Sequence, residues 1–128
     1  MSYVDLHVHS NASDGTLSPE QVVRLAHEAG LSAIALTDHD TTAGVAGAAE
    51  AGAELGLEVV PGIEVSSSFR DHEIHILGLF VDTDSPSLQA ALKEFRHHRD
   101  QRNQEMLGRF DAHGIHLTAE DLCAGNPD

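Results

Sequence analysis

Positive charge is scarce in this sequence: seven lysines and arginines stand against 21 aspartates and glutamates, a formal net charge of −14. So acidic a chain repels the phosphate backbone that nucleic-acid binders neutralise with Lys and Arg, which excludes an extended nucleic-acid face. Cysteine occurs once, as Cys123, so no internal disulfide can form, in keeping with a reducing compartment. Long apolar runs are missing as well. No stretch approaches the ~18 residues of a membrane helix, and Met1-Ser2-Tyr3-Val4-Asp5 lacks the basic and apolar regions of a signal peptide. Tryptophan is absent, yet 41% hydrophobic residues can supply an ordinary core. The expectation is a cytoplasmic α/β chain with no membrane partner.

Histidine, by contrast, is plentiful. Ten histidines outnumber all lysines and arginines together, and imidazole is the commonest protein ligand for transition metals. In "VDLHVHSNASDG", positions 4 to 15, Val4, Leu6 and Val8 alternate with Asp5, His7 and His9. A buried strand there places both imidazoles on one face. Ser18-Pro19-Glu20-Gln21 combines an N-cap serine, a proline at the first helical position and a capping-box glutamine, so a helix starts there and closes at Gly30.

A second strand is expected over Leu31 to Asp40, with His39 at its end, and a second helix capped by Thr41-Thr42, running to about Ala53 and closed by Gly56. A third strand covers Leu57 to Val65, where Pro61-Gly62 suggests a bend or an edge position. A polar loop, Ser66 to Asp71, leads to a fourth strand over Glu73 to Val81 that carries His75. From Ser85-Pro86 a long polar helix runs to about Ala112 and stops at Gly114; a short helix opens at Thr118, and Asn126-Pro127-Asp128 reads as a turn. Strand and helix alternate at a spacing that predicts βαβ units and a largely parallel sheet or barrel.

Ligands of parallel sheets bind at the carboxyl ends of the strands, because helices cover the faces. If the strands are neighbours, His7, His9, Asp14, His39, Glu64 and His75 converge there. Mixed imidazole and carboxylate donors suit Mn²⁺, Zn²⁺ or Fe²⁺ better than Mg²⁺ or Ca²⁺. Six donors exceed what one four-coordinate ion needs, so a cluster of two or three ions is the economical reading, and such clusters hydrolyse phosphoesters through a metal-activated water. Taken singly, Asp14 before Gly15 is ordinary turn chemistry and Glu64 an ordinary strand-end charge. Asp38 and Asp40 either cap the second helix or hold His39 from behind. His27, His97, His98, His113 and His116 read as surface residues, and His72 as a loop residue.

"DLHVHSNASDG", "ALTDHD", "PGIEVS" and "HEIHILGL" resemble the first motifs of the PHP (polymerase and histidinol phosphatase) superfamily, and within it the stand-alone TrpH-like phosphoesterases. The resemblance implies the N-terminal part of a distorted (β/α)₇ barrel, over residues 1–84, and the start of a helical insertion, over residues 85–128. It implies a trinuclear site in which His7 and His9 bind one ion, Asp14 and His39 a second, Glu64 bridges, and His75 binds the third. Further ligands, a histidine and an Asp-x-His pair, belong to later strands that this sequence does not contain, so a fragment of a longer barrel is expected. Such a fragment exposes an open sheet edge and is expected to self-associate. The implied activity is hydrolysis of small phosphomonoesters or of nucleotide and oligonucleotide ends, with no side chain assigned as a separate acid or base. Histidinol-phosphate phosphatase and a non-catalytic metal-binding scaffold are the alternatives.

Overall fold

In the computed structural model, which describes residues 3–122, the capping box at Ser18 forms as the sequence predicts. The Gln21 N–H donates to Ser18 Oγ at 3.3 Å while the Ser18 N–H donates to Gln21 Oε1 at 2.9 Å. The helix that follows, α1 (Pro19–Glu28), turns Val22, Val23 and Ala26 inward and is followed by Gly30 at φ 78°. It lies between β1 (Tyr3–Val8) and β2 (Leu31–Leu36), and α2 (Val45–Leu55) connects β2 to β3 (Glu58–Phe69). Val22, Val23 and Ala26 of α1 meet Ile34 and Leu36 of β2 and Ala48 and Ala51 of α2 in one apolar core, joined by Leu57. The first three strands pair in parallel in the order β1-β2-β3, as right-handed βαβ connections favour.

Several expectations are corrected, the first being the second strand, which ends at Leu36 rather than at Asp40. The second helix starts at Val45 behind Gly44, with no side-chain cap, because the chain at Asp40 is first tied to β3: the Asp40 N–H donates to the Glu64 carbonyl at 2.9 Å. Thr41 Oγ1 instead accepts the Ala43 N–H, at 3.2 Å. The third strand runs on through Ser66 to Phe69, where a polar loop was expected. It turns at Arg70 and Asp71, whose φ values of 47° and 66° suit a two-residue hairpin, into β4 (His72–Leu79), which is antiparallel to it.

Pro61-Gly62 lies in an inner strand rather than at an edge. Residues Glu58 to Pro61 pair with β2, and Gly62 to Phe69 pair with β4, so the dipeptide marks the point where β3 exchanges one neighbour for the other. The expectation of a buried first strand is also corrected. β1 is an edge strand, and Tyr3, Val4 and Leu6 are 64%, 55% and 40% exposed. On the opposite edge Ile74 and Ile76 of β4 are exposed too.

The chain divides into two compact units, one up to Ser85 and one from Pro86. The second consists of α3 (Pro86–Ala112) and α4 (Ala119–Leu122), the latter opened by Thr118, whose N–H and hydroxyl both donate to Asp121 Oδ2. Gly114, at φ 79°, follows α3. Cys123 and the expected turn at Asn126-Pro127-Asp128 lie outside the described residues. Among the described residues, no helix is long and apolar enough to cross a membrane.

Candidate metal centre

Glu64 is the centre around which the other candidates are arranged. Two backbone bonds hold it: its N–H donates to the Asp38 carbonyl at 3.1 Å and its carbonyl accepts from Asp40, so His39 and Glu64 are bridged across β2 and β3. Its side chain is buried, 5% exposed. Oε2 lies 2.9 Å from His7 Nε2, 2.8 Å from His9 Nε2 and 3.6 Å from His39 Nε2, and Oε1 lies 3.0 Å from His75 Nδ1. One carboxylate is thus ringed by four imidazoles from β1 and the residue that follows it, from the segment after β2 and from β4. His7 lies in β1 and His9 one residue past its end, and their ring centroids are 5.1 Å apart. The His9 and His39 centroids are 4.7 Å apart, and those of His39 and His75 4.9 Å.

Asp14 folds back from the loop after β1. Its carboxylate stands 2.7 Å from His9 Nδ1 and 3.5 Å from His39 Nε2. All six residues singled out in the sequence therefore come together, in three overlapping groups: His7, His9 and Glu64; His9, Asp14 and His39; His39, Glu64 and His75. The donor atoms within each group lie within 4.8 Å of one another. His27, His72, His97, His98, His113 and His116 are exposed.

The electrostatics favour charged carboxylates. Partial burial works against ionisation of Asp14, but the contact with His9 and the charges of His9 and His39 outweigh it and hold its carboxyl below the usual range. Burial likewise opposes the charge on Glu64, and the contact with His7 together with the charges of His39, His7 and His9 again prevails. For His75 the pKa moves up, chiefly through Glu73, with desolvation opposing it and Glu64 adding to it.

The donor set fits divalent ions. His9 has a carboxylate oxygen at both ring nitrogens: an imidazolium donates to both, whereas a neutral imidazole donates to one and leaves the lone pair of the other nitrogen for a cation. His39 Nδ1 is buried with no hydrogen-bond partner, which leaves that ring's Nε2, facing Asp14 and Glu64, to account for its position. Two donors each about 2.1 Å from one tetrahedral ion stand about 3.4 Å apart, close to the spacings found here.

Two features of the site are absent from the sequence reading. Glu73 lies 3.1 Å from His75 Nε2, a contact that strand alternation over two residues could have revealed. Asp38 touches the loop after β1 rather than capping α2, through Ser10 and Ser13. No local pattern signals that contact, which spans 25 residues or more. Asp40 does not cap α2 either: its Oδ1 accepts the Ser66 N–H at 2.9 Å.

The model of the PHP domain family matches residues 5–119. A 3',5'-nucleoside bisphosphate phosphatase of Chromobacterium violaceum is 44% identical over 115 residues, which is 90% of this chain and 40% of the relative. The 5'-3' exoribonuclease Rnm of Escherichia coli is 42% identical over 109 residues, 84% of this chain and 37% of the relative. A crystal structure from Bifidobacterium adolescentis, described as a metal-dependent phosphoesterase, superposes with a TM-score of 0.86 at 32% identity, over 96% of this chain and 43% of that one. The chain spans about 40% of the length of these curated relatives. With a family model matched over most of its length, the chain belongs to the PHP domain family.

Proposed function

We propose that the chain carries the first part of the active site of a metal-dependent phosphoesterase. In this reading His7, His9, Asp14, His39, Glu64 and His75 hold two or three divalent transition ions, with Glu64 shared between them. Residues 1–84 form the first part of the barrel and residues 85–128 the start of a helical insertion. The observation that carries it is the buried Glu64 carboxylate with four imidazoles at 2.8–3.6 Å. When bound, divalent ions supply an acidified water for attack on phosphorus and positive charge for the phosphoryl oxygens.

The chain's own residues make such a site rigid and anion-tolerant. Glu64 is fixed by backbone bonds on both sides, and His9 and His39 are largely buried, at 19% and 15% side-chain exposure, so their rings are held by packing before any ligand arrives. Imidazoles bind ions as neutral donors, so the six candidate ligands set only the charges of Asp14 and Glu64 against those of the ions. An anionic phosphate is thereby accepted by an otherwise acidic protein. The substrate class we assign is a small phosphorylated compound, a nucleoside phosphate or an RNA end, in the cytoplasm; the relatives named above act on such molecules.

The test has two arms. Elemental analysis of the chain after Mn²⁺ or Zn²⁺ loading and gel filtration is expected to find two or more ions per chain, and a folded chain that retains none overturns the metal reading. Phosphate release from a nucleoside 3',5'-bisphosphate with Mn²⁺, abolished by chelator, is expected of the full-length protein. Metal retention without release in that protein overturns the hydrolase reading alone.

A further inference from the structure

Asp38 is 2% exposed and precedes His39, yet its carboxylate faces the loop after β1. The Ser10 N–H donates to Oδ1 at 2.7 Å, the Ser10 hydroxyl to Oδ2 at 2.7 Å and the Ser13 hydroxyl to Oδ1 at 2.7 Å. Hydrogen bonds to an ionised acceptor are shorter and stronger than neutral ones. The loop is also folded on itself: the Ser13 and Gly15 N–H groups both donate to the Ser10 carbonyl, at 3.1 and 2.8 Å, and the Asn11 N–H donates to the Leu17 carbonyl at 2.8 Å. A Cβ on Gly15 would stand 2.7 Å from the Ser10 carbonyl carbon, so the turn has no room for one. Asp14 is carried on this loop, and its place is therefore set by what anchors Ser10 and Ser13.

We propose that Asp38 is a positioning residue: it anchors the loop from Ser10 to Leu17 beside His39 and so sets where the Asp14 carboxylate meets His9 and His39. What Asp14 then does rests on the metal reading above; the anchoring itself does not. Asp40 forms the counterpart on the other side of His39, accepting the Ser66 N–H and donating its own N–H to Glu64. The two aspartates thus tie the segment that carries His39 to one ligand-bearing element each. Groups that orient ligands from behind commonly change metal affinity about 10- to 100-fold when altered.

Asp38→Asn keeps the shape but replaces one accepting oxygen with an N–H donor that faces donors. Hydrogen exchange on the metal-free chain is expected to speed up at least about tenfold in peptides covering residues 10–17, and to stay unchanged there in Asp40→Asn. In Mn²⁺ titrations read by elemental analysis and calorimetry, Asp38→Asn is expected to weaken one ion about tenfold or more while the others hold. Asp14→Asn is expected to lose the same ion without the change in exchange. Unchanged exchange in Asp38→Asn, or faster exchange with every ion bound as before, overturns the proposal. If circular dichroism shows that Asp38→Asn does not fold, Ser10→Ala, which removes one of the three bonds to Asp38 along with the Ala12 N–H bond to Ser10 Oγ and leaves Asp14 untouched, carries the same two measurements on a smaller scale, with exchange read at amides other than Ala12. A wild-type chain that binds no ion defeats the metal reading, and the exchange result then decides the anchoring by itself.

Discussion

Replacing Gly62 with alanine tests whether β2 and β3 approach as closely as the metal centre requires. A Cβ there would lie 2.7 Å from Thr37 Cγ2, 2.8 Å from the Leu36 carbonyl oxygen and 3.3 Å from the Gly78 carbonyl oxygen. Ordinary carbon contacts begin at about 3.5 Å, so the overlap is roughly 0.7 Å at two atoms. Neither can yield cheaply, because Thr37 is fully buried and the Leu36 oxygen is backbone. The strands must part, and Glu64, two residues on, moves away from His39. Overpacking of this kind costs about 1–3 kcal/mol, and with a backbone atom in the clash the upper half of that range applies. For a unit of this size that corresponds to a fall in Tm of roughly 10–20 °C. Thermal unfolding by circular dichroism and Mn²⁺ titration read the two effects separately. A variant that melts within about 2 °C of wild type and binds ions normally would show that the strands are not held this closely.

Ser18→Ala removes the side-chain half of the capping box, leaving the backbone N–H at position 18 to donate to Gln21 Oε1, and is expected to cost about 1 kcal/mol in chemical denaturation. It also removes the Ser18 hydroxyl that, ahead of Glu20's own backbone N–H, holds the Glu20 carboxyl below its usual 4.5. Because the folded value lies below the unfolded one, that stabilisation is present above about pH 4.5 and is lost as pH falls through the folded value. NMR titration of Ser18→Ala is therefore expected to show Glu20 moving upward and the acid limb of stability flattening. Gly108→Ala, in the interior of α3 with open space around its Cβ, is expected to stabilise by about 0.5–1 kcal/mol; a loss in calorimetry would contradict the open environment. Exposed Val4 and Leu6 on one edge of the sheet and Ile74 and Ile76 on the other predict self-association. Sedimentation velocity is expected to show concentration-dependent mass, reduced by Val4→Lys with Ile76→Lys; a monomer at all concentrations would refute it.

What could be read from the sequence follows the range of the interactions concerned. The α1 capping box spans four consecutive residues, and the Ser85-Pro86 start and the Gly114 stop frame α3 as observed, because caps and left-handed closures are local chemistry. The direction of β4 was not legible. Serines at 66 to 68 imitate a loop, although Ser66 and Ser68 alternate with the register of Glu64 on the polar face, and the Arg70-Asp71 turn uses neither Gly nor Asn to announce its positive φ. The exposure of β1 is hidden from the sequence for a related reason: alternation sets which side chains share a face, while the neighbours of a strand decide whether that face is covered.

The candidate site lies between these cases. His7 and His9 stand out because two imidazoles beside an apolar run demand partners, and that demand is visible wherever the partners lie. Asp38 and Asp40 flank His39 in the sequence and invite a role on His39 itself. Their carboxylates instead reach Ser10 and Ser13 on one side and Ser66 on the other, each at least 25 positions away. A ligand can be recognised by its own chemistry; a residue that positions ligands is recognised only by what it touches. That is why the donor set was readable from one strand at a time, and the anchoring that gives the donors a common centre required the fold.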